Sequence, residues 1–182
     1  MRVITGSARG ARLETLDGLD TRPTAERVKE ALFSSIQFEL EGRRILDLFA
    51  GSGQLGIEAL SRGAALAVFI DQSADAVRIV KANLMHTRLF EKARVLQTEA
   101  EAFLARAQDQ YDIIFLDPPY HQGLLEKLLP LAAARLSPHG VLVAEGAKSD
   151  SMPETAGDFR LFQKKIYGKT AMGFYRGKDV DI

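Results

Sequence analysis

No cysteine occurs in the 182 residues, so disulfides, thiolate metal sites and cysteine nucleophiles are all excluded. That absence agrees with a reducing, cytoplasmic setting, and the start Met1-Arg2-Val3-Ile4-Thr5-Gly6 carries no hydrophobic targeting segment. No apolar run approaches membrane-spanning length, so the expectation is an intracellular protein without a membrane partner. An excess of charge is missing too: 24 basic side chains meet 24 acidic ones. Strong charge-driven capture of naked nucleic acid is therefore not indicated, and any such contact has to come from local clusters. Internal repeats, long linkers and low-complexity segments are absent. His86 and His139 stand at no metal-ligand spacing, and no metal is expected.

What is present suits one globular domain with a real core, since 46% of the residues are apolar at this length. Residues 1–20 read as a short arm, hairpin-like and made basic by Arg2, Arg9 and Arg12, ahead of a domain over 21–182. Thr24 is placed to cap a helix carrying Val28, Ala31, Leu32, Ser35 and Ile36 on one face, with Gly42 ending it. Strands are predicted at 45–49, 67–71, 95–97, 111–116 and 141–144, separated by helices at 55–62, 73–86, around 103–104 and 124–136. Apolar strands alternating with amphipathic helices indicate an α/β, Rossmann-like, mostly parallel sheet with helices on both faces. The tail differs: residues 160–167 and 171–176 are joined only by Gly168-Lys169-Thr170 and read as a C-terminal antiparallel hairpin.

Gly51-Ser52-Gly53-Gln54-Leu55-Gly56 follows the first strand and opens a helix, and Asp71 ends the next strand twenty residues on. Glycines there allow close backbone approach to a ligand, and the acid can hold ribose hydroxyls. The spacing alone leaves NAD and S-adenosylmethionine both open. Asp47, just ahead of the turn, adds negative charge that disfavours a pyrophosphate and suits a ligand with an ammonium and a sulfonium. Glu99, followed by Ala100, stands after the third strand, where it can reach an adenine amine or simply favour a helix dipole.

Asp117-Pro118-Pro119-Tyr120 closes the fourth strand. An exocyclic amine on a base is a poor nucleophile because its lone pair is delocalised. A carboxylate at Asp117 and the carbonyl of Pro118 can each accept one of its N–H groups and so aim the nitrogen at an electrophile. The prolines preset that carbonyl's direction, and Tyr120 offers a ring for a base to stack on. A neighbouring histidine, His121, is a conceivable proton acceptor, although nothing in the chemistry demands one.

Asp47-Leu48-Phe49-Ala50-Gly51-Ser52-Gly53 together with Asp117-Pro118-Pro119-Tyr120 resembles the class I S-adenosylmethionine-dependent amino-methyltransferases. Arg22-Pro23-Thr24, Arg27-Val28, Glu30-Ala31-Leu32-Phe33, Leu55-Gly56-Ile57-Glu58-Ala59-Leu60-Ser61-Arg62-Gly63 and Tyr167-Gly168-Lys169-Thr170 narrow the likeness to the bacterial 16S rRNA guanine-N2-methyltransferases acting on guanine 966. The resemblance implies a seven-stranded sheet with the last hairpin inserted antiparallel. It also implies S-adenosylmethionine at Asp47, Phe49, Ala50, Gly51, Ser52 and Gly53, with Asp71 on the ribose and Glu99 and Ala100 at the adenine. Arg22 and Thr24 would reach the donor's carboxylate. Asp117, Pro118, Pro119 and Tyr120 would hold the guanine, and the partner would be 16S rRNA in an assembling small ribosomal subunit. Adenine-N6 or protein-glutamine methylation shares this chemistry; a nicotinamide-dependent oxidoreductase and a non-catalytic RNA-binding module are the rivals from other classes. The arm and a hairpin bearing Lys164, Lys165, Lys169 and Arg176 are the expected RNA-facing patches.

Overall fold

A computed structural model describes residues 1–16 and 23–178, with the side chains of 23–25 outside the description. The chain divides into two compact units, Met1–Thr98 and Glu99–Ile182.

In the first unit, residues 1–13 form a hairpin-like strip in which Arg2 bridges Arg12 and Val3 N–H donates to Ala11 O at 2.9 Å. The strip is docked rather than free, because Val3 and Leu13 are buried. Helix α1 runs Pro23–Ser35, so Thr24 falls inside its first turn rather than capping it; proline suits that opening position because its missing N–H has no helical partner. The helix also ends at Ser35, well before Gly42, and a single 3-10 turn at Gln37–Glu39 follows. Strand β1 (Arg44–Leu48), helix α2 (Gln54–Ser61), strand β2 (Leu66–Asp71), helix α3 (Ala74–His86) and strand β3 (Ala93–Gln97) complete the unit. The strands are parallel in the order β3-β2-β1. Ile45–Leu48 and Ala67–Ile70 are buried throughout, as strands covered on both faces require. Ser73 caps α3 as expected, its hydroxyl accepting from Ala76 N–H at 3.3 Å.

The second unit holds helix α4 (Ala100–Arg106), strand β4 (Tyr111–Leu116), helix α5 (Leu124–Ala133), strand β5 (Leu136–Ala147) and strands β6 (Thr155–Ala156), β7 (Phe159–Tyr167) and β8 (Thr170–Gly177). Its strands lie in the order β4-β5-β8-β7-β6, with β4 and β5 parallel and the other neighbours antiparallel. The C-terminal hairpin therefore enters the sheet through β8, which pairs with β5. Helix α5 stops at Ala133, short of 136, because Leu136 already pairs with Tyr111 as the start of β5. The described residues thus contain eight strands; the one beyond the expected seven is the two-residue β6, too short to leave a periodic signal. Among the described residues no helix is long and apolar enough to cross a membrane.

Candidate active site

The first unit shapes a turn at the end of β1. Phe49 has φ of 63°, Gly51 of 57° and Gly53 of 76°, so the backbone passes repeatedly through the left-handed region. For Phe49, which carries a Cβ, that conformation costs about 1–3 kcal/mol and persists because the surroundings enforce it. Ala50 N–H donates to Ile70 O at 3.0 Å, and Gly53 N–H closes the turn on Ala50 O at 2.7 Å. Gly56 has a different role: an added Cβ would stand 2.3 Å from Phe69 Cε1, so its smallness brings α2 against β2. A Cβ at Gly51, in contrast, would meet nothing within 4 Å, leaving open space over the turn for a ligand.

Asp71 is oriented by two amides, Gly51 N–H on Oδ2 and Ser73 N–H on Oδ1, both at 2.9 Å. Each oxygen keeps a lone pair, so the carboxylate can still accept from hydroxyls. Asp47 is only 1% exposed and accepts from Gly56 N–H at 2.9 Å; burial pushes its carboxyl up to about 7, against the pull of that hydrogen bond. Behind the turn, buried Asn83 of α3 donates to Ser52 O and Glu14 O, both at 2.9 Å, and accepts from Glu14 N–H at 2.8 Å. Sequence reading gave Asn83 no role; a buried amide on an otherwise apolar helix face was its only signal.

The second unit positions the proline tetrad. Asp117 follows β4 directly, Pro118 is buried and Pro119 exposed. Tyr120 keeps 37% of its surface exposed, while its hydroxyl donates to Glu145 Oε1 at 2.7 Å and lies 3.4 Å from Thr170 Oγ1. The residue is thus pinned at its polar end and otherwise partly open to solvent. Burial, reinforced by the Glu145 carboxylate, pushes the Tyr120 phenol above its ordinary range. Burial likewise raises Glu145, opposed by the hydrogen bond from Tyr120. Glu145 was missed by sequence reading, although an acid following the apolar run 141–144 was a visible anomaly. His121 has φ of 61° and its Nδ1 lies 3.3 Å from Asp150 Oδ1, so its ring is held by that acid. Glu99 precedes α4 as its N-cap residue but makes no side-chain cap; it is exposed, and Ala100 is buried beside it. Arg22 and the side chain of Thr24 lie outside the described residues.

Comparison with known proteins gives a consistent picture. The family described as conserved hypothetical protein 95 matches residues 1–176. A Bacillus subtilis protein described as "Putative rRNA methyltransferase YlbH" is 42% identical over 181 residues, covering 97% of this chain and 98% of that protein. Ribosomal RNA small subunit methyltransferase D of Escherichia coli K12 is 34% identical over 178 residues, covering 97% of this chain and 89% of the other. The solved structure described as "Putative methyltransferase yhhF from Escherichia coli" superposes with a TM-score of 0.88 at 34% identity, covering 99% of both chains.

Proposed function

This chain belongs to the family described as conserved hypothetical protein 95, and from that premise we propose that it is an S-adenosylmethionine-dependent methyltransferase that modifies the exocyclic N2 amine of a guanine in 16S rRNA. The observation that carries the reading is the pinned Tyr120 ring, which follows an acid and two prolines just past the end of β4. An aromatic ring partly open to solvent, three positions from a carboxylate in the chain, suits a planar base. The relatives described as rRNA methyltransferases point to the same class of substrate.

The residues of the first unit fit the cofactor. The open space over Gly51 admits a ligand against the backbone, and Asp71 is pre-aimed by two amides with lone pairs left for ribose hydroxyls. Asp47 supplies a buried acid that an ammonium group would favour in its ionised form. Glu99 and Ala100, which open the second unit, are assigned to the adenine, and Arg22 and Thr24 to the donor's carboxylate. Phe49, Ala50, Ser52 and Gly53 shape the turn. S-adenosylmethionine, when bound, supplies a methyl group activated on a sulfonium.

The second unit then acts on the acceptor. Asp117 accepts one N–H of the amine and the Pro118 carbonyl the other, turning the nitrogen lone pair away from the ring system. Pro119 restrains that carbonyl by fixing the backbone beside it. Tyr120 stacks on the base, which has to leave its helix stack to reach the ring. The proton released by the methylated amine passes to Asp117 or to water, and no covalent intermediate on the protein is required.

Labelled methyl transfer to small-subunit particles lacking the modification, followed by nucleoside analysis, tests the reading. N2-methylguanosine is the expected product, while labelled N6-methyladenosine or the absence of any labelled nucleoside would sink it. Asp117→Ala should lower incorporation by at least about 100-fold, in the range seen when an oriented acceptor or donor is removed. Undiminished transfer by that variant would remove the acid from the mechanism.

A further inference from the structure

In a chain whose formal charge is zero, residues 159–178 carry six basic side chains and no acid: Arg160, Lys164, Lys165, Lys169, Arg176 and Lys178. Their placement on β7 and β8 is directional. Residues paired across antiparallel strands share a face and alternate along each strand. Thr170, Met172, Phe174 and Arg176 of β8 therefore lie on one face, with Tyr167, Lys165, Gln163 and Arg160 opposite them on β7 and Glu145 opposite Met172 on β5. This is the face of Tyr120, whose hydroxyl meets Glu145 and Thr170.

The pairing slips between Leu161 and Gln163, and the bulge residue Phe162 is 37% exposed, with the Arg176 guanidinium 5.9 Å from its ring centre. Lys165 Nζ stands 5.7 Å over the Phe174 ring. From Phe162 to Tyr120 the face thus presents an aromatic, a cation, Tyr167 and the pinned tyrosine. Six residues of strand separate Thr170 from Arg176, so the face is about 20 Å long. Cations alternating with stacking rings are the chemistry that tracks a single-stranded nucleic acid, and the acid on this face, Glu145, is engaged by the Tyr120 hydroxyl.

We propose that this face of the β7–β8 hairpin is a platform for the unpaired RNA strand adjoining the target nucleotide, with Phe162 stacking a base and Arg160 and Lys165 on its phosphates. The proposal rests on the reading of Tyr120 as a base-stacking residue. Lys164 supplies an internal control, because it pairs with Gly173 and points to the opposite face while carrying the same charge one residue away from Lys165.

Binding of the full chain to protein-free small-subunit rRNA, titrated with salt, tests the platform. Phe162→Ala and Arg160→Gln should each weaken binding about ten-fold, Arg160→Gln should lower the salt slope by about one, and Lys164→Gln should change affinity less than about two-fold. All three should keep the wild-type affinity for S-adenosylhomocysteine. Equal losses from Lys164→Gln and Arg160→Gln would overturn the proposal in favour of diffuse charge, and so would an unaffected Phe162→Ala. Capture of a ribosomal protein instead of RNA, abolished by Phe162→Ala, would also overturn it. Should the wild type bind RNA through this face yet label no guanine, the methyl-transfer reading fails and the platform stands. Guanine labelling unchanged in Phe162→Ala and Arg160→Gln is the reverse case.

Discussion

Asp47 sits in the core with one amide, Gly56 N–H, donated to its carboxylate, and burial lifts its pKa from 3.8 to about 7. Between those pH values the folded chain holds a proton that the unfolded chain has released, so this group makes folding less favourable as pH rises from about 4 to 7. The full effect is on the order of 4 kcal/mol. Asp47→Asn keeps an acceptor for Gly56 and removes the titration. Urea unfolding at a series of pH values should show a flatter profile for the variant, with its advantage over wild type growing towards pH 7. In the proposed chemistry the ring and the hydroxyl of Tyr120 have separable roles. Tyr120→Ala should lose at least about ten-fold in transfer through lost stacking. Tyr120→Phe should lose only a few-fold, because what goes is a partly exposed hydrogen bond worth about 1 kcal/mol. Glu145→Gln still accepts from the phenol and should stay closer to wild type than Glu145→Ala in steady-state kinetics.

Among the elements of the first unit, a buried carboxylate joins three pieces of chain. Glu58 of α2 accepts from Ile4 N–H at 2.8 Å, Thr5 N–H at 3.0 Å and Arg62 Nε at 2.8 Å, and its Oε2 lies 3.5 Å from Lys29 Nζ of α1. Lys29 in turn donates to Arg2 O at 2.6 Å. Burial lowers the Lys29 pKa, and the Glu58 charge works against that fall. Every oxygen of Glu58 is occupied, so the arm is held to the helices by satisfied polar groups. Glu58→Leu alone leaves Lys29 in the core without its carboxylate and should cost about 3–5 kcal/mol, whereas Lys29→Met leaves Glu58 paired with Arg62 and should cost less. The double variant should recover part of that loss, which a double-mutant cycle by urea unfolding reads directly.

For the whole molecule, the cofactor and the acceptor are served by different residues in the proposed chemistry, and ligand linkage separates them. S-adenosylhomocysteine at 100 times its Kd should stabilise the folded chain by about 2.7 kcal/mol, whereas NAD should leave the melting temperature unchanged. Stabilisation by NAD instead would favour an oxidoreductase. Tyr120→Ala should keep the full response, since the proposed chemistry gives its ring to the acceptor alone.

The order of strands and helices, the glycine turn and the proline tetrad were all readable from residues near one another in the chain. Periods of 2 and 3.6 and turn chemistry act over a few positions, and that is what a sequence displays directly. The same locality explains the errors: the end of α5 was decided by Leu136 pairing with Tyr111, and β6 exists only because β7 lies beside it. Tertiary structure alone decided which groups hold the candidate site residues and the arm. Tyr120 meets Glu145 25 positions away, Ser52 meets Asn83 31 away, and Ile4 meets Glu58 54 away. Such pairs carry no period and no local propensity. They form because the path of the backbone brings them within about 3 Å, where a buried polar group must find a partner or lose the hydrogen bonds it made to water.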